Sequence, residues 1–134
     1  MPADGLITIR SAFGPRETMQ RFESEVRDRG MTIFAHIDHA QGAAEAGMDL
    51  RPTDLLVFGA ARGGTPLMQA NQTIGIDLPL KVLVWENEDG ATFLTYNDPG
   101  FLALRHALGP ASDPVVDGLS NALKAMATEA VGAS

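Results

Sequence analysis

The expected fold of this chain is decided by residues 57–86, VFGAARGGTPLMQANQTIGIDLPLKVLVWE, where a short apolar strand breaks into a glycine-rich segment. We predict a loop over Gly59–Gly64, because glycine tolerates the backbone conformations of tight turns. Thr65 and Pro66 are typical of a helix cap and first turn, so a brief helix is expected after them. The stretch ends in a second predicted strand, Leu80–Glu86.

The rest of the chain alternates strand and helix patterns without the regularity of a doubly wound sheet. The turn chemistry of residues 87–90 predicts an antiparallel hairpin. We expect an α+β fold: a mainly antiparallel sheet of about five strands with helices packed on one face. The predicted strands are Leu6–Phe13, Met31–His36, Asp54–Phe58, Leu80–Glu86 and Ala91–Tyr96; the predicted helices are 15–30, 39–46, 98–108 and 113–130, with residues 71–79 irregular.

Composition is that of a single globular domain and argues against several functions. The 134 residues are 45% hydrophobic and 20% charged, so we predict one domain over residues 1–134. No window is apolar enough for a membrane helix and no targeting segment is visible, which predicts a cytoplasmic protein. The absence of cysteine removes thiolate chemistry, and no cofactor is expected. A net charge of −7 disfavours nucleic acid as a partner.

The glycine-rich segment has the G-x-x-x-x-G spacing of a phosphate loop, but it lacks the key residue. Thr65 stands where such a loop needs a lysine to reach the β- and γ-phosphates, so we exclude nucleotide hydrolysis. Two hypotheses remain. In one, the N–H groups of Gly63 and Gly64, with Arg62 close by, form an anion-binding nest. In the other, the glycines only supply the positive φ of a tight turn.

Two histidines and a carboxylate lie within four residues, at His36, Asp38 and His39. A divalent metal would need three or four ligands and only His106 remains among the histidines, so no metal site is predicted. One hypothesis is a general acid–base pair in which His36 or His39 acts with Asp38. The other is structural: Asp38 caps the following helix and the histidines are half-buried.

A further polar group follows the hairpin. Tyr96, Asp98, Arg105 and His106 would line a cleft with Thr65 if the hairpin lies beside the glycine-rich segment. The alternative is that such charges are only solvated ends of a strand and a helix. The predicted ligand-binding residues are Arg62, Gly63, Gly64, Thr65, Asp77, Tyr96, Arg105 and His106.

Several short motifs occur in a fixed order. They are Ile37-Asp38-His39-Ala40, Arg51-Pro52-Thr53, Phe58-Gly59, Gly64-Thr65-Pro66-Leu67-Met68, DLPLKVLV at 77–84, Tyr96-Asn97-Asp98-Pro99 and Arg105-His106. This set, within about residues 8–108, resembles the family catalogued as domain of unknown function number three hundred and two. The resemblance implies a curved antiparallel sheet backed by helices, as in the TATA-binding-protein group, and a homodimer. It implies no activity.

The chain departs from the family's pattern after Phe58-Gly59. Ala60-Ala61 replace the usual Asn-Pro pair, so a ligand contact through that asparagine is not carried over. The C-terminal helix, about residues 113–130, lies beyond the resemblance and is expected to be a local addition for dimer contact.

Three functional hypotheses follow. The first is a cytoplasmic homodimer that binds a small anionic or polar ligand at Gly63–Thr65 without chemistry. The second is an enzyme that uses His36 or His39 with Asp38 as an acid–base pair. The third is a protein–protein interaction module whose sheet or C-terminal helix recruits a partner.

Overall fold

The computed structural model describes residues 4–133, which form a five-stranded antiparallel sheet with helices. This confirms the predicted α+β class. Along the chain the elements are β1 (Leu6–Arg10), α1 (Pro15–Asp28), β2 (Thr32–Asp38), α2 (His39–Glu45), β3 (Thr53–Gly59), α3 (Ala61–Ala70), a first 3₁₀ helix (Gln72–Asp77), β4 (Leu80–Glu86), β5 (Thr92–Asn97), α4 (Pro99–Arg105), a second 3₁₀ helix (Pro110–Ser112) and α5 (Asp113–Val131).

The strands lie in the order β1-β5-β4-β3-β2, and each neighbouring pair is antiparallel. β4 and β5 form the predicted hairpin. Its turn is held by Asn87, whose side-chain oxygen accepts hydrogen bonds from the N–H groups of Asp89 and Ala91. β1 ends at Arg10, earlier than predicted. The side-chain hydroxyl of Ser11 is hydrogen-bonded to that of Thr18, where the chain turns into α1.

One face of the sheet packs against α1 and α5 and forms the main core. Alternate residues of the central strands point toward this face, as expected for a sheet face that helices cover. Phe22 of α1 meets Phe58 of β3 edge-on, with 5.2 Å between ring centroids. The strands contribute Leu56, Phe58, Leu80, Val82, Val84, Leu94 and Tyr96, and α1 contributes Met19, Phe22 and Val26.

The helix α5 belongs to this core. Its buried residues in the cluster are Leu123, Met126, Ala127, Ala130 and Val131, each at most 1% exposed. Because this face is already covered by α1 and the sheet, it is not free to serve as a dimer surface. The C-terminal helix is therefore part of the core and not a local addition to it, while its predicted role in dimer contact stays a prediction.

The structure also corrects the prediction for residues 59–79. In the segment predicted as a loop, Gly59 ends β3, Ala60 precedes α3, and residues 61–64 form the first turn of α3. Pro66 lies inside that helix instead of at its start. Two glycines and a proline have poor intrinsic helix propensity, so tertiary packing must stabilise this helix. Leu67 provides part of that packing, since only 3% of it is exposed. Most of the stretch predicted to be irregular, 71–79, is the first 3₁₀ helix.

The edge strand β2 contains a β-bulge. Its pairing with β3 shifts register between Ile33 and Ala35, which leaves Phe34 as the extra residue. Bulges commonly re-aim a side chain. Phe34 is 56% exposed and lines the cavity described next.

Candidate functional site

A cavity of about 450 Å³ lies beside the start of α3. Five parts of the fold supply its walls: the turn before β2, β2 itself, the end of β3 with α3, the first 3₁₀ helix with the start of β4, and α5. The lining residues are Arg29, Met31, Phe34, Gly59, Ala60, Ala61, Arg62, Gly63, Gly64, Thr65, Met68, Gly75, Leu78, Pro79, Leu80 and Leu119.

The segment singled out from the sequence therefore lines a cavity, but its glycines do not form a nest. Among Gly59, Gly63 and Gly64 only Gly59 has positive φ, at 156°. The N–H groups of Gly63 and Gly64 both donate to the carbonyl of Ala60, at 3.0 and 3.2 Å. In an α-helix that begins at Ala61, the first N–H groups have no partner within the helix, and no side chain caps this one.

The glycines allow close packing around the cavity. A Cβ atom on Gly63 would lie 3.2 Å from Cδ2 of Leu119 in α5. One on Gly75 would lie 3.3 Å from Sδ of Met68. Small residues at these positions let α3, α5 and the first 3₁₀ helix converge, which explains them better than turn geometry does.

The charged residues of the cavity lining are two arginines, Arg29 and Arg62, and no acidic residue among positions 4–133 lines it. Nε of Arg29 lies 3.9 Å from Oε1 of Glu25. Arg62 takes part in none of the ion pairs formed within the described part of the chain. In a chain of net charge −7, this local positive excess favours an anion.

Three predicted site residues, Asp77, Arg105 and His106, come together next to the cavity. Nη1 of Arg105 donates to both carboxylate oxygens of Asp77, at 3.0 and 3.1 Å, and Nε2 of His106 donates to Oδ2. None of the three lines the cavity, although Gly75 and Leu78 on either side of Asp77 do. The network thus holds the cavity wall in place.

Two residues of this network were missed from the sequence. The hydroxyl of Thr73 lies 3.0 Å from Nδ1 of His106, and the side-chain amide of Asn71 donates to the backbone carbonyl of His106. The hydroxyl of Thr73, the imidazole of His106 and the carboxylate of Asp77 thus form a hydrogen-bonded chain, but Thr73 does not line the cavity beside α3. The Asn-x-Thr pattern at 71–73, typical of a capped helix start, was the available signal.

Tyr96 and Lys81 do not line the cavity, and their contacts are those of residues that stabilise the fold. Tyr96 is 5% exposed within the main core, where burial, and secondarily the charge of Asp98, raises its pKa. Burial also lowers the pKa of Lys81, against the opposing effect of Asp77, and its ammonium donates to the carbonyls of Asp77 and Pro79. Tyr96 therefore does not reach the cavity beside α3.

The histidine-rich motif lies at a second, more open depression of about 790 Å³. The ring of His36, 42% exposed, lies between Glu23 and Asp54, with 3.3 Å to each carboxylate. Asp38 also lines the depression, but its carboxylate accepts a hydrogen bond from the N–H of Gln41 and caps α2. His39 is the exposed first residue of α2.

This arrangement favours the structural interpretation of Asp38. The carboxylates in contact with His36 come from α1 and β3, and the sequence alone did not associate them with it. Within residues 4–133, no three His, Asp or Glu side chains are placed to hold a metal ion.

The family model described as "Domain of unknown function DUF302" matches residues 7–126. The chain belongs to the DUF302 family. The match runs far into α5, beyond the 8–108 span of the sequence motifs, in agreement with the packing of α5 in the core.

Two curated relatives are longer proteins that this chain matches over part of their length. The chain is 45% identical over 124 residues to "Fluoride-specific ion channel FluC 1" of Brucella suis biovar 1 and of Brucella abortus biovar 1. The alignments cover 92% of this chain but 46% and 43% of those proteins. No helix within residues 4–133 is both long and apolar enough to cross a membrane.

A solved structure shares the fold. It is that of an uncharacterized conserved DUF302 protein from Bacillus stearothermophilus, with a TM-score of 0.84 and 21% identity. The superposition covers 96% of this chain and 99% of the other. At this identity the likeness establishes the fold of the DUF302 domain and not a shared ligand.

Proposed function

We propose that this DUF302 domain binds a small anionic ligand, without transforming it, in the cavity beside the start of α3. One observation carries the proposal: the cavity is lined by two arginines and, among residues 4–133, by no acidic side chain. Its volume of about 450 Å³ falls in the range of about 300–1,000 Å³ that is typical of small-molecule sites.

The start of α3 adds to the attraction for an anion. Ala60 precedes the helix without a side-chain cap, which leaves the N–H groups of Ala61 and Arg62 without helical partners. These groups and the helix dipole both favour negative charge at this end. The helix end alone would be weak support, but here it borders a cavity with two guanidinium groups.

The proposal changes the roles first given to the predicted site residues. Arg62 and Thr65 remain candidate contacts, and Arg29 joins them. Asp77, Arg105 and His106 support the wall from outside, and Tyr96 is a core residue. Ligand contact is therefore assigned to fewer of those residues than the sequence suggested.

Isothermal titration with acetate, butanoate, hexanoate and inorganic phosphate tests the proposal. Because a hydrogen bond to a charged group contributes roughly 1.5–3 kcal/mol, Arg62→Ala should weaken binding at least about tenfold. Arg16→Ala, at the other depression, is the matched control and should bind as the unchanged protein does. No binding by any of these anions, or equal affinity of the Arg62 and Arg16 variants, would refute the proposal.

The relatives named as fluoride-specific channels suggest fluoride as a second candidate ligand, which the cavity disfavours. Fluoride is small and strongly hydrated, so it needs several donors around it to offset desolvation. Here the walls are mostly apolar and the two guanidinium groups lie at exposed residues. We therefore include sodium fluoride in the titration with sodium chloride as its control, and we expect no specific binding.

Other predictions from the sequence stay predictions. The homodimer, the cytoplasmic location, the interaction module and an enzyme based on His36 or His39 each need their own measurement. Sedimentation of the purified chain over a range of concentrations would decide the first.

A further inference from the structure

We infer that the anion bound beside α3 is amphipathic: a carboxylate on an unbranched apolar chain, with its head at Arg29 and Arg62 and its chain among the apolar walls. The inference rests on the proposed function and specifies its ligand class. The two ideas can fail separately, as the experiment below is designed to show.

The walls of the cavity are apolar apart from the two arginines and Thr65. Large apolar side chains come from different elements of the fold: Met31, Phe34, Met68, Leu78, Leu80 and Leu119. A small hydrophilic anion such as phosphate would leave these surfaces exposed to water. An apolar chain would cover them and gain the corresponding hydrophobic free energy.

Phe34 provides an independent argument. It is the residue that the β-bulge leaves unpaired, and it is 56% exposed even though it borders the cavity. A bulge that turns a large aromatic side chain toward an apolar cavity has an evident use if that side chain covers an apolar ligand.

The methionines and glycines of the cavity lining suit a ligand with an unbranched apolar chain better than one with a rigid ring. Met31 and Met68 are flexible and fill irregular space, so they can adjust to chains of different length. Gly63 and Gly75 keep the packing elements close and leave no side chains of their own in the cavity. These features predict tolerance of chain length, limited only by the cavity's volume.

The local charge favours a monoanion. Arg62 has no carboxylate partner within residues 4–133, whereas Arg29 lies 3.9 Å from Glu25 and is partly neutralised. The ion pair with Glu25 therefore lowers the effective positive charge at the cavity below that of two free arginines. A guanidinium can bind a carboxylate or a phosphate with two hydrogen bonds, so the expected preference for a monoanion comes from the local charge.

The test is a homologous series on the full chain, measured by isothermal titration: butanoate, hexanoate and octanoate, the alcohols of the same length, and octyl phosphate. Each buried methylene should improve affinity about fourfold until the cavity is filled. Octanol should bind at least about tenfold more weakly than octanoate and be insensitive to Arg62→Ala. Octyl phosphate should bind no better than octanoate, and tighter binding of the dianion would overturn the preference for a monoanion.

Phe34→Ala gives the matched variant test. Because Phe34 is exposed, the variant should keep its fold, which thermal unfolding can confirm. We expect octanoate to lose about tenfold in affinity while butanoate changes little. Leu104→Ala removes another exposed apolar side chain, outside the cavity lining, and should change neither.

The outcomes separate the two ideas. If short carboxylates bind in a manner that depends on Arg62 but affinity does not rise with chain length, the amphipathic ligand is refuted and the proposed function stands. If no anion of any length binds, both are refuted. If octanol binds as tightly as octanoate, the head-group assignment is wrong.

Discussion

His106 and Asp77 are joined by a hydrogen bond from Nε2 to Oδ2 that ties the end of α4 to the end of the first 3₁₀ helix. Both side chains are largely buried, 8% and 15% exposed, and the other ring nitrogen of His106 is bonded to Thr73. The pair therefore connects a cavity wall to the second, smaller core cluster, which contains Leu67, Ile74, Leu102 and Val116.

We expect His106→Ala to lower the free energy of unfolding by roughly 2–3 kcal/mol, because it leaves a mostly buried carboxylate without one of its donors. Arg105→Ala should have an effect below about 1 kcal/mol, since Arg105 is 56% exposed and its ion pair is screened. Urea unfolding followed by tryptophan fluorescence measures both. Equal losses for the two variants would contradict a buried anchoring role for His106.

Gly63 should tolerate alanine but not valine. Alanine gains roughly 1 kcal/mol in helix propensity, which offsets a Cβ contact of 3.2 Å to the flexible end of Leu119. Valine adds two more methyl groups at the same contact and should destabilise by about 1–3 kcal/mol. Gly118→Ala in α5 is the control: no atom lies within 4 Å of its added Cβ, so thermal unfolding should show stabilisation. A harmless Gly63→Val would disprove the packing argument.

Asp38 should act as a helix cap. Its carboxylate accepts the N–H of Gln41 at 2.9 Å, and loss of such a cap costs about 0.5–2 kcal/mol. Asp38→Ala should therefore reduce stability in urea, and Asp38→Asn should largely restore it. His39→Ala should have little effect, because His39 is exposed. Failure of asparagine to restore stability would indicate that the charge of Asp38 matters beyond capping.

Tyr96 should ionise at higher pH than a free tyrosine, because burial raises its pKa above the ordinary value of 10.0. As pH rises, the unfolded chain therefore loses the phenolic proton of Tyr96 at a lower pH than the folded chain does. Its contribution to stability is then complete below pH of about 10 and is lost as pH rises toward the folded-state value. Tyr96 is the only tyrosine, so tyrosinate absorbance reports it directly. Tyr96→Phe should lose this pH dependence, and an ordinary titration midpoint would contradict the prediction.

The sheet could be predicted from the sequence because strand signals are local. Alternating apolar residues and the turn at residues 87–90 placed the hairpin correctly, with β4 at the predicted bounds. The start of α3 could not be predicted this way, since its two glycines and Pro66 are poor helix formers. Contacts with Leu119, more than fifty positions away, override that propensity.

The residues of the candidate site could be predicted only in part, because contacts between distant segments leave no local signal in the sequence. The segment from Gly59 to Thr65 does line a cavity, and Asp77 does meet Arg105 and His106. Arg29 and Phe34 were missed because they lie before β2 and at a bulge, and neither position has a short-range sequence signal. His36 faces Glu23 and Asp54 across strand and helix contacts that sequence spacing does not reveal.

The bulge at Phe34 has a consequence for the solution behaviour of the protein. β2 is an edge strand, and a regular edge presents unpaired N–H and C=O groups on which strands of other molecules can add. The extra residue bends the strand and breaks the even spacing of these groups. The same irregularity that turns an aromatic ring toward the cavity therefore makes this edge a poor template for aggregation.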